Sequence, residues 1–197
     1  MKLKREARTL KAKAIASLRR GLEIFNSHDD HGRPEAVLLF LQHTSEMLIK
    51  SLLVQKGQDV FDKERGTSIG LEKALNIAQS RAWITSAQAG SIRAMDAMRD
   101  QAQHWMIVVS EDALYINSRA LITTIDEVLQ AHFEDTLADN LPLRVLPLST
   151  KPILDFDVLV NREYEQIREL LTPGRRARDE ARGRISALLA MEAHTSE

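Results

Sequence analysis

The chain has 197 residues, 44% apolar and 28% charged, with a formal net charge of −1. That is enough for one domain with a real core plus an appendage, and it argues against wholesale disorder. The absence of cysteine excludes disulfides, thiolate metal sites and a cysteine nucleophile, and an aromatic content of 5% is thin for a base-stacking platform.

Leu10, Ala14, Leu18, Leu22 and Phe25 recur every three or four residues and predict a first helix over 6–25. Its start is basic: within residues 1–20, Lys2, Lys4, Arg5, Arg8, Lys11, Lys13, Arg19 and Arg20 stand against one acid, Glu6. A second basic stretch lies within 172–184, and the chain between the two is acid-rich. A positive arm can hold a polyanion by neutralising phosphates, which makes Lys2, Lys4, Arg5 and Arg8 candidate RNA contacts. The same residues also suit a solvated helix face, or a helix that pairs with the acidic middle.

Pro34 suits the first turn of a second helix running to about Lys56, with Gly57 as its stop. Val37 to Leu41, Met47 to Ile49 and Leu52 to Val54 make it apolar on most faces, so it is expected to be the central buried helix. Gln42, His43, Glu46 and Lys50 nevertheless recur along one side, with Glu46 and Lys50 in the favourable order for an ion pair four residues apart. A polar seam on a core helix is either a satisfied internal pair or the support of a functional site. A loop over 57–69 and a short helix over 70–80 follow. Thr85 and Gln88 form a capping box for the next helix, whose stripe is Ile84, Ile92, Met95, Met98, Ala102 and Trp105. Ser110, with Glu111 and Asp112, starts another helix, whose inner face is Leu114, Leu121, Ile125, Val128 and Phe133. Residues 141–153 read as extended, and helical patterns resume over 156–171 and 175–192. The expected organisation is an all-α bundle over 1–135, with an extended connector and helical tail over 136–197.

The sharpest local feature is Arg99-Asp100-Gln101-Ala102-Gln103-His104. Asp100 and His104 lie four apart, so they share a helix face, where the carboxylate can orient the imidazole. With Met95 as reference they fall opposite the apolar stripe, and Arg99 lies about 140° around from His104. Both Arg99 and His104 are therefore expected to avoid the core face. Metal-free RNA cleavage needs a base for the 2′-hydroxyl, an acid for the leaving 5′-oxygen and a cation for the growing phosphate charge. Histidine and arginine can supply these roles. The competing explanation is a surface helix carrying an ordinary Asp–His pair. His28-Asp29-Asp30-His31 looks like a ligand cluster but has no partner pair elsewhere, so no metal is assigned. No phosphate-binding glycine loop, GxSxG or HExxH is present, and no cofactor is expected.

The run Gln42-His43-Thr44-Ser45-Glu46-Met47-Leu48-Ile49-Lys50-Ser51-Leu52-Leu53 with Gly57, then Gly70-Leu71-Glu72-Lys73-Ala74-Leu75, then Arg99, Asp100 and His104, resembles HEPN domains in content and order. Within that superfamily it is similar to an uncharacterised, mainly prokaryotic family with an Arg-x4-His motif. The resemblance covers about Lys11 to Phe133, and the tail after Leu141 is also similar to that family. It implies a four- to five-helix bundle that dimerises, bringing two Arg-x4-His motifs into one cleft. Arg99, His104 and Asp100 would be catalytic, and Glu46, Lys50 and His43 supporting. The implied activity is metal-independent endoribonuclease, in phage defence or a toxin–antitoxin system. RNA, a second copy and an antitoxin or other protein are the expected partners. A non-catalytic HEPN dimer that binds RNA or protein, and a helical scaffold or regulator, are the alternatives.

No apolar run approaches the ~18 residues of a membrane span, and the basic first residues lack the apolar stretch of a secretory signal. The expectation is a soluble, cytoplasmic protein without membrane contact.

Overall fold

A computed structural model describes residues 3–62, 66–104 and 109–142, together with 164–165, 167–169, 171–172, 181 and 185; for Asp62 and His104 the description is of the backbone. The fold is all-α. Helix α1 (Arg5–Phe25) and α2 (Arg33–Gln55) are followed by two-residue strands β1 (Phe61–Asp62) and β2 (Thr67–Ser68). Then come α3 (Leu71–Ser80), α4 (Ser86–His104), α5 (Glu111–Phe133) and α6 (Leu137–Asn140).

Helix α2 is the hub, packing against α1, α3, α4 and α5. Leu38, Leu41, Ile49, Leu52 and Leu53 are fully buried. By length and composition alone α2 would reach across a bilayer, but 67% of its most apolar window is buried inside the bundle. The α1–α2 pair is antiparallel: Ser51 Oγ donates to the Ala7 carbonyl at one end, and Ser17 Oγ to the Phe40 carbonyl further along. The helices approach closely at Gly21, where a Cβ would sit 3.3 Å from both Leu41 Cδ2 and Phe40 Cβ. The two helix ends also cap each other. Gln55 Oε1 accepts the Lys4 backbone N–H at 2.9 Å, and Lys4 Nζ donates to the Val54 carbonyl at 3.0 Å. Each bond satisfies a backbone group that its own helix leaves open.

The local start signals act as expected. Thr85 N–H donates to Gln88 Oε1 and Gln88 N–H to Thr85 Oγ1, a reciprocal capping box. Ser110 Oγ accepts the Ala113 N–H at 3.2 Å. Residues 57–69 differ from the expected loop by the short hairpin, which pairs Phe61 with Ser68 and Asp62 with Thr67. Asp59 Oδ1 turns the chain by accepting the Phe61 N–H, and Gly66 supplies a positive φ of 66°. The extended stretch expected over 141–153 and the tail helices lie almost wholly outside the described residues.

Arg33 at the start of α2 ties the far end together. It is 7% exposed; Nη1 donates to the Phe25 carbonyl, Nε to Asp30, and Nη2 to Glu111 at the start of α5. Its guanidinium also lies over the Phe25 ring. Burial works against its charge, but the hydrogen bonds and charges of Glu111 and Asp30 overcome that and raise its pKa.

Two stability tests follow from these contacts. Arg33→Met leaves the Phe25 carbonyl without its donor and should cost about 1–3 kcal/mol in urea unfolding. Glu111→Gln should cost less, because that carboxylate is 58% exposed. His132 Nε2 meets the Trp83 carbonyl, and burial depresses the imidazole pKa, with Lys56 adding to the effect and the carbonyl opposing it. The unfolded ring therefore takes a proton that the folded ring resists. Stability should be full above about pH 6.5 and fall as the pH drops below it. Melting curves between pH 8 and 5 should show that decline, and His132→Gln should flatten it.

Candidate functional site

Helix α4 sets the site. Taking Met95, fully buried, as the core direction, Arg99 lies about 40° and Asp100 about 140° away by helix geometry. Exposure follows this register: the Arg99 side chain is 26% exposed and that of Asp100 56%. Asp100 faces outward, as expected. Arg99 does not avoid the core face: its stem runs along the bundle side of α4, and its Nε is buried without a hydrogen-bond partner. The reason is its place in the register, between Met95 and the direction of Ile92. Nη1 of Arg99 donates to Asp100 Oδ1, so the two adjacent residues form an ion pair. His104 is the last described residue of α4, one turn beyond Asp100 on the backbone.

The polar seam of α2 divides. Gln42 and Lys50 are buried and Glu46 is part-buried. Lys50 Nζ donates to Glu46 Oε1 and, at 2.8 Å, to Ser68 Oγ of β2. The hairpin thus covers the Lys50 end of the seam. His43 is exposed and does not join the buried part. On the same side of α2, Leu39 is 42% exposed, so the face is open toward the helix start.

The structure joins Glu46 to the α4 group through Asp96, which the sequence patterns did not single out. Its carboxyl is half-buried between α2 and α4. Burial raises its pKa, and the charges of Asp100 and Glu46 push the same way; a hydrogen bond from Gln42 and the Arg99 charge oppose them. Gln42, Glu46, Asp96, Arg99 and Asp100 thus form one electrostatic cluster across the α2–α4 contact. The available signal was the four-residue spacing of Asp96, Asp100 and His104, a polar ridge along α4.

The basic arm is partly spent on the fold. Lys2 lies outside the described residues. Lys4 caps α2. Lys11 pairs with Asp135 and lies over the Phe133 ring, and Arg19 donates to the Asn140 carbonyl. Burial alone would raise the Asp135 pKa, but hydrogen bonds from Lys11, Asn140 and the Thr136 N–H outweigh it and hold the carboxyl below its usual range. Arg5 and Arg8 are exposed. In the 26–33 loop, Asp29 accepts the His31 N–H and Asp30 pairs with Arg33. Among the described residues no group of three or more His, Asp or Glu is arranged to hold a metal.

A family described as "Domain of unknown function (DUF8611)" matches residues 159–197. That stretch follows α6 and includes none of the residues of the cluster. No curated protein matches the chain, and neither does any solved structure.

The two roles open to the arm separate by substitution. Lys4→Met should lower the melting temperature, because it removes a cation from the C-terminal end of α2. Arg5→Gln and Arg8→Gln should leave it unchanged.

Proposed function

We propose that the chain is a HEPN-type, metal-independent endoribonuclease acting in phage defence or as a toxin. The observation that supports this most is the placing of Arg99, Asp100 and the backbone of His104 within two turns at the end of α4, beside a polar cluster that reaches α2. In the proposed reaction the 2′-hydroxyl of RNA loses its proton to a base and attacks the adjacent phosphorus. The bond to the 5′-oxygen breaks, and that oxygen takes a proton from an acid. The products end in a 2′,3′-cyclic phosphate and a 5′-hydroxyl. His104 would serve as a proton-transfer group and Arg99 would hold the phosphate oxygens, which a guanidinium can grip in pairs. One His104 per chain supplies one proton-transfer group, so a second copy would complete the pair across a two-fold axis. Arg5 and Arg8 are proposed to add phosphate contacts.

The second reading is a non-catalytic HEPN dimer that binds RNA or a protein partner. It is favoured by the Arg99–Asp100 ion pair, because a carboxylate on the guanidinium competes with phosphate. Expression toxicity, and cleavage as opposed to salt-dependent binding alone, separate the two readings.

The test is cleavage of total RNA without added metal. His104→Ala and Arg99→Lys should each remove activity, since general acid–base catalysis contributes about 10²–10⁴ in rate and lysine cannot reproduce the fork. Lysine is preferred to alanine at Arg99 because the side chain is part of the packing. A chelator should have no effect, and the products should carry cyclic phosphate ends. Complete inhibition by the chelator, or full activity in His104→Ala, would overturn the mechanism.

Assembly is tested independently. Sedimentation at micromolar concentration should show a dimer with α4 at or near its interface. Leu39→Glu and His43→Glu, on the open face of α2 beside it, should weaken that dimer. A monomeric wild type would remove the composite site.

A further inference from the structure

One group in the α2–α4 cluster is unsatisfied, and a carboxylate stands one turn away from it on the same helix. The buried Nε of Arg99 has no hydrogen-bond partner, although Nη1 of the same guanidinium is taken by Asp100. Three residues earlier on α4 stands the half-buried carboxylate of Asp96. Residues three apart are neighbours on a helix surface. From α2, Gln42 donates to Asp96 while Glu46 repels it; on α4, Asp100 repels it and Arg99 attracts it. Among the described residues, Lys50 is held by Glu46 and Ser68, and Arg93 of α4 by Glu72 and Asn76 of α3. A guanidinium has five N–H donors in a rigid fork, so one carboxylate on Nη1 leaves donors for a second.

We infer that Asp96 is a positioning residue for Arg99, taking the buried edge of the guanidinium when Asp100 leaves the outer edge. Asp100 is the exposed, exchangeable carboxylate; Asp96 is the sheltered one. An anion arriving from solvent displaces Asp100, and Asp96 keeps the fork aimed outward. The consequence for phosphate binding rests on the ribonuclease reading, whereas the carboxylate exchange itself does not.

The experiment is a carboxyl ¹³C NMR titration of the full chain without RNA. Arg99→Gln should raise the Asp96 midpoint, because the guanidinium favours the carboxylate. Asp100→Asn should lower that midpoint, and by more in the wild-type background than in Arg99→Gln, because only the former has a freed guanidinium to offer. An equal shift in both backgrounds means simple charge removal and overturns the inference, as does an unmoved midpoint in Arg99→Gln. A second arm uses an RNA oligonucleotide made uncleavable by 2′-deoxy substitution. Asp96→Asn should weaken its binding as Arg99→Gln does, and Asp96→Glu should restore part of it. If Arg99→Gln weakens binding and Asp96→Asn does not, the positioning role fails while the RNA site stands. If the NMR coupling is present and neither variant affects binding, the positioning role stands and the ribonuclease reading fails.

Discussion

A helix that is apolar on most of its circumference must be covered on most of its circumference, and every polar group it carries inward must find a partner. That constraint on α2 organises the molecule. Helices α1, α3, α4 and α5 cover it. Two of its hydroxyls turn back on the helix, Thr44 to the Phe40 carbonyl and Ser45 to that of Leu41, and Ser51 reaches the Ala7 carbonyl of α1. Its mid-helix cation, Lys50, is held by Glu46 and Ser68. A buried ion without such partners costs several kcal/mol. The short hairpin therefore has a physical role despite its size: it delivers the hydroxyl that completes the Lys50 environment.

The same constraint explains where the molecule is polar. Along α2 the cover changes from hairpin at Lys50 to α4 at Gln42 and Glu46, and gives way to solvent at His43 and Leu39. The candidate site lies at this transition. Its charges are mostly negative, with Glu46, Asp96 and Asp100 around Arg99, so the arginine is contested by its neighbours. The basic arm offers no simple relief, since Lys4 caps the end of α2, Lys11 holds Asp135 after α5 and Arg19 holds Asn140 of α6.

What could be seen in the sequence was what depends on short, fixed spacing. The Thr85–Gln88 box, the Ser110 cap, Pro34 in the first turn of α2 and the Lys50–Glu46 pair all join residues within four of each other. The all-α class followed from apolar periodicity. What could not be seen depends on distant partners. Arg33 is buried by contacts from the end of α1, the following loop and the start of α5. Lys4 finds Gln55 across the helix pair. Asp96 is perturbed by its burial and by Gln42 and Glu46 of α2 as well as by its own-helix neighbour Asp100. Arg99 is an intermediate case: its angle on the helix was computable, but a long side chain can lean either way, and only the packed structure shows its Nε on the inner side.

The seat of Gly21 against Leu41 and Phe40 bears on how the molecule forms. Helices α1 and α2 are joined by a short loop and meet along their length, so their contacts are close in sequence and close early, at little cost in chain entropy. The contacts of Arg33 with Glu111 and of Lys11 with Asp135 span far more of the chain and are expected to form later. Crowding at Gly21 should therefore act mainly on the folding rate. Loss of the Arg33 contact should act mainly on the unfolding rate, and so on the lifetime of the native state.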